Sequence, residues 1–171
     1  KNSHTKLLDT RKTLPGLRDL EKYAVTQGGG FNHRRDLSDM YLLKENHIAA
    51  AGGIEKALER TLAHRARVTS RRKSAIPRIE VEVTGIDEFK KALKCDIDRI
   101  MLDNFSATMV KKAIGIAKEI RKGKRWIELE VSGRISLYNI DKYAQTGVDF
   151  ISVGTLTHSA PAFDFSLILE G

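Results

Sequence analysis

Cysteine is nearly absent from this 171-residue chain. Cys95 stands alone, so neither an intrachain disulfide nor a cysteine-based metal site can form. A lone thiol suits a reducing compartment, and a cytoplasmic location is the expectation. Long apolar runs are missing as well: no stretch approaches the roughly 20 residues of a membrane span. No apolar signal-peptide core follows Lys1-Asn2-Ser3-His4. There is no Walker loop and no glycine-rich dinucleotide fingerprint, and no histidine pair has the spacing H-E-x-x-H. Ser132 lacks the G-x-S-x-G surroundings of a hydrolase nucleophile. Aromatic residues are absent from the cationic run Arg65-Ala66-Arg67-Val68-Thr69-Ser70-Arg71-Arg72-Lys73. Without rings to stack on bases, the run reads as a solvated helix end and loop rather than a nucleic-acid patch.

What is present is a globular composition, 41% hydrophobic and 30% charged, with a net charge of +8. The length supports one domain over residues 1–171 with a sizeable core. The placement of the cations is more telling than their number. Thr10-Arg11-Lys12-Thr13-Leu14-Pro15-Gly16, Gly28-Gly29-Gly30-Phe31-Asn32-His33-Arg34-Arg35 and Lys44-Glu45-Asn46-His47 each gather charge beside turn residues or at the end of an apolar run. A solvated helix face would spread its charges at helical spacing. Clusters at strand and loop ends point instead to a pocket for a polyanion.

Short β-rich runs alternate with helical patterns. Strands are expected at Lys6–Asp9, Asp39–Leu43, Ile79–Val83, Arg99–Leu102, Trp126–Val131 and Phe150–Val153, with a possible last one at Phe165–Leu169. Between them fall helical stripes, expected to be core-facing: Leu17, Leu20 and Ala24; Ile54, Leu58, Thr61 and Leu62; Ile86, Phe89 and Leu93; Val110, Ala113, Ile114 and Ala117; Ile140, Tyr143 and Ala144. Such alternation calls for parallel strands with helical crossovers, as an open doubly wound sheet or as a barrel. The barrel is favoured by Ile79-Glu80-Val81-Glu82-Val83 and its echo Ile127-Glu128-Leu129-Glu130-Val131. Each sends apolar side chains one way and carboxylates the other, whereas a central strand of an open sheet is apolar on both faces. Carboxylates can line a barrel lumen. Strand grammar alone accounts for the echo, and no duplication is inferred. Six or seven strands fall short of eight, so the expected architecture is an incomplete parallel α/β barrel, or one whose first part belongs before Lys1.

In parallel α/β folds the C-terminal strand ends share one face, where sites are built. The polar residues there are Arg11, Lys12, Lys44, Asn46, Glu82, Asp103, Asn104, Ser132, Gly133, Gly154, Thr155 and His158. Arg11 and Arg34 suit bidentate contact with carboxylate or phosphate, and Lys12 and Lys44 suit phosphate oxygens. Glu82 and Asp103 suit sugar hydroxyls or a Mg²⁺ bridging to phosphate. Ser132-Gly133 and Val153-Gly154-Thr155 are turns after the last strands, where barrels frequently seat a phosphate. His33 reads equally as a general acid, a donor to a carboxylate, or a structural loop histidine. His4 and His47 read as structural or solvated.

The motifs Asp9-Thr10-Arg11-Lys12-Thr13-Leu14-Pro15-Gly16, Gly29-Gly30-Phe31-Asn32-His33-Arg34, Leu43-Lys44-Glu45-Asn46-His47, Glu80-Val81-Glu82-Val83, Leu102-Asp103-Asn104-Phe105, Glu130-Val131-Ser132-Gly133 and Val153-Gly154-Thr155-Leu156-Thr157-His158 resemble, in order along the whole chain, the quinolinate phosphoribosyltransferases. The resemblance implies a type II phosphoribosyltransferase barrel with fewer than eight strands. It implies transfer of phosphoribose from phosphoribosyl pyrophosphate to quinolinate with decarboxylation, giving nicotinate mononucleotide, with Mg²⁺ as cofactor and a homodimer or higher oligomer as the assembly. By resemblance, Thr10, Arg11, His33, Arg34 and Lys44 would meet quinolinate. Lys12, Glu82, Asp103 and Asn104 would hold phosphoribosyl pyrophosphate, Glu82 and Asp103 through the metal, and Lys12, Lys44, Glu82 and Asp103 would carry catalysis. Ser132, Gly133, Val153, Gly154, Thr155 and His158 would take the 5′-phosphate side. Arg134 stands where the family usually has a second glycine, adding a phosphate contact or crowding the turn. The family also has an N-terminal domain that is not part of this sequence and lends an arginine to the partner subunit's site. The alternatives are a related enzyme acting on nicotinate or another acid, and a barrel fragment that binds anions without turnover.

Overall fold

The computed structural model describes residues 4–70 and 76–170; Lys1–Ser3 and Arg71, Arg72 and Lys73 of the cationic run lie outside them. Six strands, β1 (Lys6–Leu8), β2 (Met40–Leu43), β3 (Arg78–Val83), β4 (Arg99–Asp103), β5 (Glu128–Ser132) and β6 (Phe150–Ser152), form one sheet in the order β1-β6-β5-β4-β3-β2. Every pairing is parallel. The helices are α1 (Arg18–Gln27), α2 (Glu45–Ala51), α3 (Ile54–Thr69), α4 (Ile86–Ala92), α5 (Ala107–Ile120), α6 (Ile140–Ala144) and α7 (Thr155–His158). None is long and apolar enough to cross a membrane.

Strand alternation sorts the side chains. Ile79, Val81, Val83, Ile100, Leu102, Leu129 and Val131 are buried in the core with Leu58, Phe89, Leu93, Val110, Ala113 and Ala117 of the helices. The opposite strand faces carry Glu80, Glu82, Arg99, Met101, Asp103, Glu130 and Ser132, the lumen set that the β3 and β5 alternation foretells. Helix α5 shows why the helices start where they do. Ser106 accepts the Met109 N–H at 3.2 Å, capping a helix whose buried stripe is Val110, Ala113, Ile114 and Ala117.

The sheet does not close by strands alone. The stretch after α1 joins its two edges: Phe31 makes a parallel bridge with Leu8, and Arg34 Nη1 donates to the Met40 carbonyl at 3.0 Å. This loop takes the place of a further strand.

Two expectations are corrected. No strand forms at Phe165–Leu169; the segment has no regular structure, and Phe165, Leu167, Ile168 and Leu169 are exposed because no sheet edge pairs with it. In α1 the Leu17, Leu20 and Ala24 stripe faces out, and the buried residue is Lys22, drawn in by the Asp9 carboxylate. Helices α2 and α7 add to the expected elements; α2 has no fully buried residue and α7 only Thr157.

Candidate active site

At the C-terminal strand ends a cleft of about 310 Å³ is lined by Thr10, Arg11 and Lys12 after β1, by His33 and Arg34 from the closing loop, by Leu42 and Lys44 at the end of β2, and by Met101, Ser132 and Ser152. Seven of these ten residues are sequence-nominated. Leu42 and Met101, both largely buried, add apolar walls, and Ser152 adds a hydroxyl; nothing at their positions distinguishes them from ordinary strand residues.

A buried ion pair positions the cationic loops. Lys22 donates to Asp9 at 2.6 Å and to the His33 carbonyl at 3.0 Å, and Asp9 also accepts the His33 N–H at 2.8 Å. The Asn32 amide completes the set, donating to Asp9 Oδ2 at 2.6 Å and to the Lys22 carbonyl at 3.0 Å. Sequence reasoning missed Asp9, Lys22 and Asn32, although Asp9 directly precedes the Thr10-Arg11-Lys12 turn.

Two arginines confront each other across this framework. Arg34 is pulled below its ordinary pKa first by burial and then by the positive charge of Arg11. Arg11 Nε is buried without a hydrogen-bond partner. Like charges held together with an unspent donor are a preformed anion site.

Beneath the cleft lies a lumen network. His33 Nε2 is 3.0 Å from Glu80 and 3.4 Å from Glu130, off the line of its N–H, so the contact is chiefly electrostatic. Arg99 donates to Glu130 at 2.9 Å and stacks on Phe150 at 3.9 Å, while Ser152 donates to Glu130 at 2.5 Å. Burial opposes the charged imidazole, but the Glu130 and Glu80 carboxylates outweigh it and hold the His33 pKa up at about 9. Burial and the Glu130 charge push Glu80 up to about 7, against the pull of His33 and Arg99. Glu130 titrates below its ordinary range: burial works against this, and His33, Arg99 and Ser152 prevail.

His33, Glu80 and Glu130 are close enough to hold a metal ion. Their hydrogen bonding argues otherwise. Neither protonation state of His33 leaves Nε2 a lone pair for a metal: in the neutral ring the Arg34 N–H donates to Nδ1 at 2.7 Å and the ring proton sits on Nε2, and in the charged ring favoured below about pH 9 both nitrogens carry protons. Arg99 also spends its charge on Glu130. A second proton on His33 forfeits the Arg34 contact.

The other nominated residues flank the cleft. The Lys44 ammonium pairs with Glu82 and thereby reaches β3. Lys44 also precedes α2, where His47 Nδ1 accepts its backbone N–H at 3.0 Å, the structural role expected for His47. Asn46 lies on α2 and does not line the cleft. Asp103 and Ser132 are register partners on β4 and β5, and Asn104 and Gly133 follow them. Thr157 Oγ1 donates to the Lys12 carbonyl at 2.6 Å, tying α7 to the β1 turn. The His158 ring lies over Gly154, its Nε2 3.0 Å from where a Cβ would stand. Val153 turns its side chain into the core, leaving only its backbone near the site, and Thr155 is exposed at the start of α7. Arg134 is exposed and has φ +52°, the left-handed conformation that a glycine adopts more readily.

The profile of the quinolinate phosphoribosyl transferase C-terminal domain matches residues 1–168. The chain belongs to this family. Among its relatives is a protein named probable nicotinate-nucleotide pyrophosphorylase (carboxylating) from Archaeoglobus fulgidus, 43% identical over 160 residues, covering 92% of this chain and 57% of that one. The nicotinate-nucleotide pyrophosphorylase (carboxylating) of Mycobacterium leprae is 42% identical over 171 residues, covering 99% and 55%. A solved structure of the nicotinate-nucleotide pyrophosphorylase from Francisella tularensis superposes with a TM-score of 0.79 at 49% identity, covering 95% of this chain and 52% of that one. The fold is that of the family's C-terminal barrel, and the chain spans about half the length of the relatives it matches.

Proposed function

We propose that this chain is the catalytic barrel of a carboxylating nicotinate-nucleotide pyrophosphorylase, joining quinolinate to phosphoribosyl pyrophosphate and releasing pyrophosphate and carbon dioxide. The observation that carries the reading is the Arg11–Arg34 pair, two like charges sharing one cleft with an unpartnered Nε. A planar dicarboxylate satisfies both forks, and a monocarboxylate satisfies one. Leu42 and Met101 offer apolar walls of the kind a pyridine ring needs. Lys12 and Lys44 meet phosphate oxygens.

Bond breaking at the anomeric carbon passes through an oxocarbenium-like state. Glu82 and Asp103 stabilise its positive charge, and the lysines stabilise the departing pyrophosphate. Once the ring nitrogen carries the ribosyl group it is cationic. When the 2-carboxylate leaves as carbon dioxide, the electron pair of the broken bond stays on C2, where the adjacent cationic nitrogen stabilises it, and a proton from water then completes the C2–H of nicotinate mononucleotide. Arg11 and Arg34 hold that carboxylate in place until then. Glu82 and Asp103 are hard oxygen donors, too few to cage a metal but suited to Mg²⁺ shared with substrate phosphates. When bound there, Mg²⁺ would neutralise pyrophosphate charge. We place the protein in the cytoplasm as a homodimer or higher oligomer.

The test is to supply quinolinate, phosphoribosyl pyrophosphate and Mg²⁺ and follow nicotinate mononucleotide. Turnover is expected with quinolinate. Turnover with nicotinate but not quinolinate would overturn the assignment. Binding of both ligands without turnover would leave the barrel an anion-binding module.

A further inference from the structure

Asn104 is one of two non-glycine residues with positive φ among the described residues, at +54°. That backbone is uncommon for a side-chain-bearing residue, and asparagine tolerates it better than most. Here it does three things at once. The Asn104 N–H donates to the Ser132 carbonyl at 2.8 Å, fastening the end of β4 to the end of β5. Its side-chain Nδ2 donates to Asp103 Oδ2 at 2.7 Å. Its Oδ1 lies against Gly133, where an added Cβ would stand 2.3 Å from that oxygen and 3.0 Å from the Asn104 nitrogen. Gly133 has φ +96°, so any side chain there is strained as well as blocked.

We propose that Asn104 is a positioning residue. It fixes the Asp103 carboxylate in one orientation and seats the Gly133 turn against it, so that the carboxylate and the phosphate turn are held at one separation. The inference rests on the proposed function for its ligand: the separation serves the ribose and 5′-phosphate of phosphoribosyl pyrophosphate. The Arg11–Arg34 pair lies outside this clamp, so quinolinate binding does not depend on it.

The informative variant is Asn104→Gly. Glycine adopts φ +54° freely, so the turn and its backbone hydrogen bond persist while the amide is lost. Two measurements decide. In calorimetric titration with phosphoribosyl pyrophosphate and Mg²⁺, Asn104→Gly is expected to bind at least about tenfold more weakly than the parent, a loss typical of one hydrogen bond to a charged group. Quinolinate affinity should stay within about twofold. Equal affinity of parent and variant for phosphoribosyl pyrophosphate overturns the proposal, and so does an equal loss for both ligands. In the ligand-free chain, side-chain scalar couplings should report one χ1 rotamer for Asp103 in the parent and averaging in Asn104→Gly. A single unchanged rotamer in the variant overturns the positioning role whatever binds. If the parent itself fails to bind phosphoribosyl pyrophosphate, the proposed function falls, and the rotamer measurement alone decides the role of Asn104.

Discussion

Arg34 is held by its Nη1 bond to the Met40 carbonyl and pressed by Arg11, so most of its charge remains for a ligand. Arg34→Ala is expected to weaken quinolinate binding by about 1.5–3 kcal/mol, roughly ten- to a hundredfold, with phosphoribosyl pyrophosphate affinity within about twofold. Titration of each ligand separately checks this, and equal losses would contradict the division of labour. His33 makes a prediction about pH. Its folded pKa, about 9, lies above its ordinary 6.5. The stability this proton confers is therefore complete below about 6.5 and lost as pH climbs through about 9. The upper bound is about 3 kcal/mol at 1.36 kcal/mol per unit, reduced by the Arg34 N–H contact that the protonated ring gives up. Glu80, raised from 4.5 to about 7, adds a loss of the same sign at lower pH. Denaturant unfolding between about pH 6 and 10 should show stability falling, and His33→Gln should flatten the upper part of the curve. Parallel curves would remove His33 from the network. The Arg11, Arg34 and Lys44 cluster is legible in the chain because cations beside turn residues have few structural uses. The network under it is not, since Glu80, Arg99 and Glu130 acquire one another only when neighbouring strands align.

Helix α1 separates periodicity from burial. Its Leu17, Leu20 and Ala24 stripe has the spacing of a core face, yet those residues are exposed and Lys22 is buried on Asp9. Lys22→Met leaves Asp9 buried without a counter-charge, a change that typically costs about 3–5 kcal/mol. Leu20→Gln should lie within about ±0.5 kcal/mol. Chemical denaturation of both variants checks the contrast; a larger loss for Leu20→Gln would return the leucine stripe to the core. The strands behaved differently. Each expected strand from Lys6 to Val153 is present to within one or two residues, because alternation records directly which side chains meet the helices.

At the level of the whole molecule, the barrel is carried by β1 to β6 and the helices packed on them, and the stretch beyond Ser159 adds little to it. Phe163 and Phe165 touch each other, with ring centroids 4.8 Å apart, while Phe163, Leu167 and Leu169 remain exposed. Deleting residues 160–171 should leave the melting temperature within about 2 °C, since terminal segments without burial contribute little stability. A drop of about 8 °C or more in a thermal melt would show that the tail is packed.

Two periodicities and the grouping of charge are local properties, and from them the chain by itself determined alternating parallel strands and helices with a cationic strand-end face, and favoured a barrel over an open sheet. Three things depended on the tertiary structure: the closing of the sheet's two edges by the loop through Phe31 and Arg34, the burial of Lys22, and the use of Asn104 as a clamp. Each joins groups that are distant in sequence or set by a backbone angle. No spacing rule encodes such contacts, because they exist only once the strands lie side by side.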